Sequence, residues 1–283
     1  MLRTREQVRV LGPGDRDRFI ALAEQDPVVN VFADYRARLT NLDERWLGGQ
    51  VWGRFEGEEL VAGCHLAANL VPVQCTPEDV GAFADVALRR RGSVGTIVGP
   101  SDVVAALWEQ VGPRWSRPRE FRSHQPHLEI DHLSPVPASP DVRPTTPQDL
   151  DALYPACVAM YTEEVGVSPE NDAGGGDLYR ARVQQLIGRG WSLASFDDHG
   201  VVFKAEVACA TPYAAQVQGV WVRPDRRGEG LAAGGMAAVV AHVLGSGMAP
   251  VVSLYVNDWN APARAAYARV GFRQTATFAT LMF

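Results

Sequence analysis

Lysine is almost missing from this chain. Of its 27 basic side chains only Lys204 is a lysine, a bias that reads as base composition of the gene rather than chemistry. An excess of positive charge is missing too. The 33 acidic residues outnumber the basic ones and the net charge is −6, so no electrostatic footprint for nucleic acid is expected. No run of about 18 apolar residues occurs, which excludes an expected membrane helix. The opening "MLRTREQVRVLGPG" lacks an apolar core, so no secretory signal is expected there. Cys64, Cys75, Cys157 and Cys209 show no C-x-x-C spacing, and the expectation is reduced, buried thiols in a cytoplasmic protein. His124, His127 and His132 have no cysteine partners nearby. The alternation of His127, Glu129 and Asp131 suits an exposed strand, and no metal site is expected.

What is present is organised in two parts. The 283 residues suffice for two average domains, each able to bury a core. "SPVPASP", residues 134–140, holds three prolines in seven positions and cannot lie inside a helix or central strand. On either side of it the chain repeats itself. Val8, Arg9, Pro13, Asp15 and Asp17 recur as Val142, Arg143, Pro147, Asp149 and Asp151, all at an offset of 134. Each set reads as a short strand, a turn, and a helix with aspartates at its start, where they favour the dipole. Two similar halves are therefore expected, 1–136 and 140–283.

In the second half, the apolar periods predict two helices ("DLDALYPACVAMYTEEVG" and "DLYRARVQQLIGRG") with the breaker "NDAGGG" between them. Three strands follow: "WSLASF", "VVFKAEVACA" and "AAQVQGVWV". A small-residue helix, the strand "PVVSLYV" and the helix "NAPARAAYARVGF" complete the half. Alternation of this kind implies an α/β fold with a mixed sheet.

Between the third strand and the small-residue helix lies "VRPDRRGEGLA", residues 222–232. A glycine turn at a helix start presents backbone N–H groups beside the positive end of the dipole, a combination that binds phosphate. A nucleotide P-loop would end in Gly-Lys-Ser/Thr, which is absent. Gly228, Gly230 and Ala233 keep the G-x-G-x-x-A spacing of dinucleotide folds, but the acidic Asp258 lies 30 residues beyond Gly228 rather than about 20. A third reading is more specific. Arg227-Gly228-Glu229-Gly230-Leu231-Ala232 resembles the R/Q-x-x-G-x-G/A motif of the GCN5-related N-acetyltransferases (GNAT). Asn260, Ala263, Tyr267, Gly271 and Phe272 resemble that family's N-x-x-A…Y-x-x-x-G-F run, one helix and one strand later.

The resemblance covers residues 140–283 and implies two tandem acyl-CoA N-acyltransferase-like domains, the first degenerate. It implies acetyl-CoA as co-substrate and an amine as acceptor. It further implies that Val220, Trp221 and Val222 free backbone groups at a β-bulge for the pantetheine arm, one N–H polarising the thioester. Residues Gly228, Glu229, Gly230, Leu231, Ala232 and Ala233 would hold the pyrophosphate, with charge from Arg226 and Arg227. Asn260 would bond the pantetheine and Arg264 a phosphate. Tyr267 would reprotonate the leaving sulfur, although Ala263, Ala266, Tyr267 and Val270 also form a face suited to the core. Glu206, an acid amid apolar residues, is the candidate base if buried; on the other side of an alternating strand it would face solvent. Glu163 and Glu164 could attract a cationic acceptor or simply be solvated.

In the first half, "RRRGSVGTIVGP" runs into an apolar strand rather than a helix, and neither family run recurs. That half is expected to be structural or to shape the acceptor pocket. The competing reading of the whole is a non-catalytic acyl-CoA-binding module, regulatory in role, whose first half recognises a protein partner.

Overall fold

The computed structural model describes residues 6–171 and 174–283. Most of the expected breaker "NDAGGG" is among them, but its Asp172 and Ala173 lie outside the described residues. The fold is mixed α/β, and one order of elements occurs twice. In the first half it runs β1 (Glu6–Leu11), α1 (Arg16–Ala23), α2 (Val31–Thr40), the single turn α3 (Glu44–Leu47), β2 (Gln50–Glu56), β3 (Glu59–Leu66), β4 (Asn69–Val73), α4 (Val80–Arg90), β5 (Thr96–Pro100), α5 (Ser101–Val111) and β6 (Glu120–Ile130). The second half runs β7 (Arg143–Pro144), α6 (Leu150–Val165), α7 (Gly175–Gly188), β8 (Ser192–Asp197), β9 (Gly200–Ala210), β10 (Ala215–Val222), α8 (Leu231–Gly245), β11 (Val252–Tyr255), α9 (Ala261–Val270) and β12 (Arg273–Met282).

The repeat noticed in the sequence is built from the same contacts twice. Arg9 grips Asp15 with both guanidinium nitrogens at 2.6 and 2.7 Å, and Arg143 grips Asp149 likewise at 2.8 and 2.9 Å. Each aspartate also accepts from the backbone amide three residues before it, Gly12 or Thr146. Each arginine stacks over a phenylalanine, Arg9 over Phe55 and Arg143 over Phe196. Local chemistry thus ties each entering strand to the turn before its first helix.

Contacts divide the chain into two compact units. The first comprises residues up to Leu128 with Tyr255–Trp259 and Gln274–Phe283; the second comprises Glu129–Leu254 with Asn260–Arg273. In the first unit the strands are ordered β1-β2-β3-β4-β5-β12-β6. The last strand of the chain therefore lies beside β5, antiparallel from Phe278↔Pro100 to Met282↔Thr96. Leu11, Phe19, Ala33 and Ala37 pack in one buried cluster with α1 and α2, while Phe83, Ala87, Val104 and Leu107 pack in another with α4 and α5. A sheet with helices on both faces is the outcome.

In the second unit the order is β7-β8-β9-β10-β11. Here α6 and α7 bury Leu153, Cys157, Val183 and Ile187 against Val201 and Trp221. Helix α8 buries Met236, Val239, Val240 and Val243. Its Gly235 lies so close to Phe203 that an added Cβ would stand 2.6 Å from the ring, so the small residues of this helix set its distance from the sheet. In both units the parallel pair is short. β4 meets β5 through two residue pairs and β10 meets β11 through two, after which the strands part.

The histidine strand departs from expectation. β6 is buried from Gln125 to Leu128 rather than exposed on an alternating face, and His127 is fully covered and stacked on Phe278 of β12 at 4.7 Å. Burial holds its ring neutral and pulls its pKa down to about 4. His124 and His132 stay at the surface, beside Asp258 and Asp131 respectively. Among the described residues no group of three metal-ligating side chains converges. No helix there is long and apolar enough to cross a membrane.

Candidate active site

The ladder between β9 and β10 breaks at Gly219 and Val220, whereas Trp221 and Val222, also expected at the bulge, stay in register. Gln218 stands opposite Glu206 and Trp221 opposite Lys204, so Gly219 and Val220 together face Ala205 alone. Two residues against one is a β-bulge, which turns backbone groups out of the ladder. Gly219 makes it possible. Its φ is +61°, and an added Cβ would stand 3.1–3.3 Å from Met160, Lys204 and Glu206.

Beneath the bulge lies a buried charge pair. Lys204 has no exposed surface, and its Nζ is 2.7 Å from Glu206 Oε1 while donating to the Gly219 carbonyl at 3.0 Å. Burial alone would discharge the ammonium, but Glu206 reverses this and the lysine pKa is raised. Cys157 completes the group with its sulfur 3.7 Å from the same carboxylate oxygen, its thiol pushed up to about 12 chiefly by burial. Glu206 is thus buried rather than solvent-facing, and it already has a cation.

From the bulge, β10 runs through Trp221 and Val222 into the glycine turn. Trp221 is buried and its indole N–H donates to Glu163 at 3.1 Å. Gly228 and Gly230 hold φ of +86° and +80°, and nothing lies within 4 Å of a Cβ added to either. Gly230 caps α8 without a side chain, and Leu231 opens the helix. Of the first amides, that of Ala233 turns back to the Gly230 carbonyl at 3.2 Å. Helix geometry gives the preceding ones no intrahelical acceptor, and the turn that carries them, Gly228–Gly230, is exposed.

The arginines are engaged differently from the expectation. Arg226 pairs with Glu229 and Asp197, and Arg227 with Glu163 at 2.6 Å and the Val222 carbonyl at 3.0 Å. Arg223, which the sequence did not single out, holds Asp197 with both nitrogens at 2.7 Å. Each guanidinium therefore braces the turn through a carboxylate.

Asn260 begins α9 and its side-chain oxygen caps the Ala263 amide at 3.2 Å. Arg264 is exposed one turn on. Tyr267 and Val270 are the buried residues of this helix, and Tyr267 meets Phe272 edge-on at 5.9 Å. Burial, with help from the charge of Glu164, raises the Tyr267 pKa and keeps its phenol protonated. Of the two adjacent glutamates, Glu163 links Trp221 to Arg227 and Glu164 lies within electrostatic reach of Tyr267. In the sequence Lys204 stood out only as a bias of composition, and Gly219 and Gly235 were not singled out. The one usable signal was that the single lysine falls in the same apolar strand as Glu206, that strand's one acid.

Residues 184–272 match the acetyltransferase (GNAT) family. Residues 49–153 match a domain family of unknown function. No curated protein matches the chain. Among solved structures, a GCN5-related N-acetyltransferase from Sphaerobacter thermophilus aligns over 99% of this chain and 96% of its own, at TM-score 0.65 and 17% identity. A GNAT-family acetyltransferase from Colwellia psychrerythraea aligns over 98% and 99%, at 0.60 and 14%. A tandem GNAT protein from the clavulanic acid biosynthesis pathway aligns over 98% of both chains, at 0.56 and 15%. At these identities the likeness is one of fold, and the fold it extends to is the tandem one.

Proposed function

We propose that the second half transfers an acetyl group from acetyl-CoA to a primary amine by direct attack. The observation that carries this reading is the continuity of the β10 bulge with the glycine turn. One strand end leads from unladdered backbone at Gly219–Val220 to the amides at the start of α8. A pantetheine arm and a pyrophosphate need those two features in that order. Val220, Trp221 and Val222 are assigned to the arm, and one backbone N–H to the thioester oxygen as negative charge develops there. Residues 228–233 are assigned to the pyrophosphate. Arg226 and Arg227 already hold carboxylates, so the backbone is the main anion site and the guanidinium groups add field. The Nδ2 group of Asn260, a donor whose oxygen is spent on the helix cap, is assigned to the pantetheine, and Arg264 to a phosphate.

In the reaction the neutral amine attacks the carbonyl carbon, the C–S bond breaks, and the sulfur takes the Tyr267 proton. The amide nitrogen loses its extra proton to water, and Tyr267 is reprotonated from solvent. A buried, protonated phenol suits that donor role. Glu206 is better suited to balancing Lys204 than to accepting a proton, because its carboxylate is held by an ammonium at 2.7 Å. The functional division is taken as 1–136 and 140–283, with the first half binding no cofactor. Four free thiols suit a cytoplasmic site of action.

A panel of amines with acetyl-CoA, read by release of free CoA thiol and mass of the product, tests the reading. Thiol release matched by an acetylated amine is expected. Tight acetyl-CoA binding without turnover on any amine would favour a binding module instead.

A further inference from the structure

A buried lysine–glutamate pair seldom adds stability over apolar residues of the same volume, because both ions lose their water. Lys204 has no exposed surface and Glu206 is 4% exposed, so the pair calls for another reason to exist. The reason lies in its third contact. A bulge leaves carbonyls outside the ladder, and a buried carbonyl must find a donor. That of Gly219 accepts from Lys204 Nζ at 3.0 Å.

The first half supplies the control. Phe55 and Phe196 occupy the same place under Arg9 and Arg143, which sets β2 in register with β8. Counting back two residues, Gly53 faces Gly63 where Ala194 faces Lys204; counting back four, Val51 faces His65 where Ser192 faces Glu206. The first half thus has glycine and histidine in place of the ion pair. Its β3–β4 ladder runs without a slip from Gly63↔Val73 to Leu66↔Leu70. The β9–β10 ladder, beside the pair, has this bulge, and the corresponding β3–β4 ladder has none.

We propose that Lys204 is a positioning residue: its ammonium, balanced by Glu206, grips the Gly219 carbonyl and holds β10 in the bulged register that frees the backbone of Val220. The consequence for acetyl-CoA rests on the function proposed above; the consequence for the backbone does not.

Two variants of the full chain separate this role from plain structural support. Glu206→Gln leaves a buried ammonium without its counter-charge but keeps its bond to Gly219. The double variant Lys204→Met/Glu206→Leu removes both charges and the bond, and fills the space with apolar atoms. Melting temperature and acetyl-CoA affinity should therefore move in opposite directions. Glu206→Gln melts earlier and keeps its affinity, whereas the double variant melts near the wild type and binds roughly tenfold more weakly, about the worth of one lost hydrogen bond. In the double variant, amide exchange over residues 219–222 should speed by about the same factor, with α8 and β11 unchanged. Affinity that falls in step with melting temperature, or exchange over 219–222 that is unchanged or slower, overturns the role. If the wild type itself fails to bind acetyl-CoA, the proposed function falls, and the exchange measurement still decides Lys204.

Discussion

In the first half β4 passes to α4 through Gln74–Asp79, and in the second β10 passes to α8 through Arg223–Gly230. The two turns hold the same place in the order of elements but have opposite chemistry. The second is open at its tip, with glycines at positive φ and a helix start that carries no side-chain cap. The first supplies its own anion. Asp79, at the start of α4, accepts from the Thr76 amide at 2.7 Å and the Thr76 hydroxyl at 3.0 Å, and it pairs with Arg54 at 2.7 Å. Its carboxylate is turned back onto Thr76 and Arg54, and this helix start, like that of α8, has no side-chain cap. In the first unit Pro72 approaches to 3.3 Å of a Cβ added at Gly99, and the remaining pocket, lined by Asn30, Gln74, Cys75 and Val103, holds only about 100 Å³. The two halves thus share a frame, down to the Arg–Asp clasp, while the first lacks the open glycine turn and the β9–β10 type of bulge found in the second.

The strongest way to separate the copies is acid. His65 and His127 are buried in the first unit, with pKa values lowered by burial to about 3 and about 4. Unfolding lets both return to about 6.5 and take up protons, so their neutral burial favours the folded state above that pH. That contribution is lost as pH falls toward the folded values, at about 1.4 kcal/mol per pH unit for each group that protonates only on unfolding. Amide exchange at pH 7 and 5, corrected for intrinsic rates, should show β3 and β12 losing more protection than β9. Equal losses in the two units would remove the histidines from the comparison.

Next in size is Tyr267→Phe. The ring keeps its place against Phe272, so acetyl-CoA affinity should hold while kcat falls roughly a hundredfold through loss of the proton donor. Full activity in the folded variant would take Tyr267 out of the mechanism. Gly230→Val tests the open turn. At φ +80° a branched side chain is strained by about 1–2 kcal/mol, and it would project into the space assigned to the pyrophosphate. Calorimetry should find acetyl-CoA bound at least about tenfold more weakly, by the same arithmetic that gives a factor of ten per 1.4 kcal/mol. Affinity unchanged in a folded Gly230→Val would place the phosphates elsewhere.

The smallest effect should come from the feature the halves share. Arg9→Ala and Arg143→Ala each remove one half-exposed clasp, and about 0.5 kcal/mol is expected from either. Asp15 and Asp149 have pKa values lowered chiefly by their arginines, so the contribution is present above about pH 4 and fades as acid protonates them. Urea midpoints at pH 7 should shift slightly and alike. A large shift for one clasp alone would show that the repeats differ here too.

Much of the second half was legible because its signals are local. A helix period, a strand alternation and a glycine turn depend on residues within a few positions of one another, and the expected elements from α6 to α9 formed where those patterns lay. The Arg–Asp repeat was likewise a six-residue affair, and its geometry followed from its spacing. Family motifs named the turn and α9 for the same reason. Other features depended on partners distant in the chain. The elements expected from the sequence end with α9, and only the packed fold shows β12 and puts it beside β5 in the first unit. The same holds for His127, covered because β12 brings Phe278 to it, and for Arg227, whose carboxylate comes from α6 some sixty residues earlier. Lys204 and Glu206 are two residues apart, and nothing in that spacing says that both are buried. Charges so placed are held only by a neighbouring strand that slips its register and offers a carbonyl, and a register slip is a property of the sheet, not of either strand.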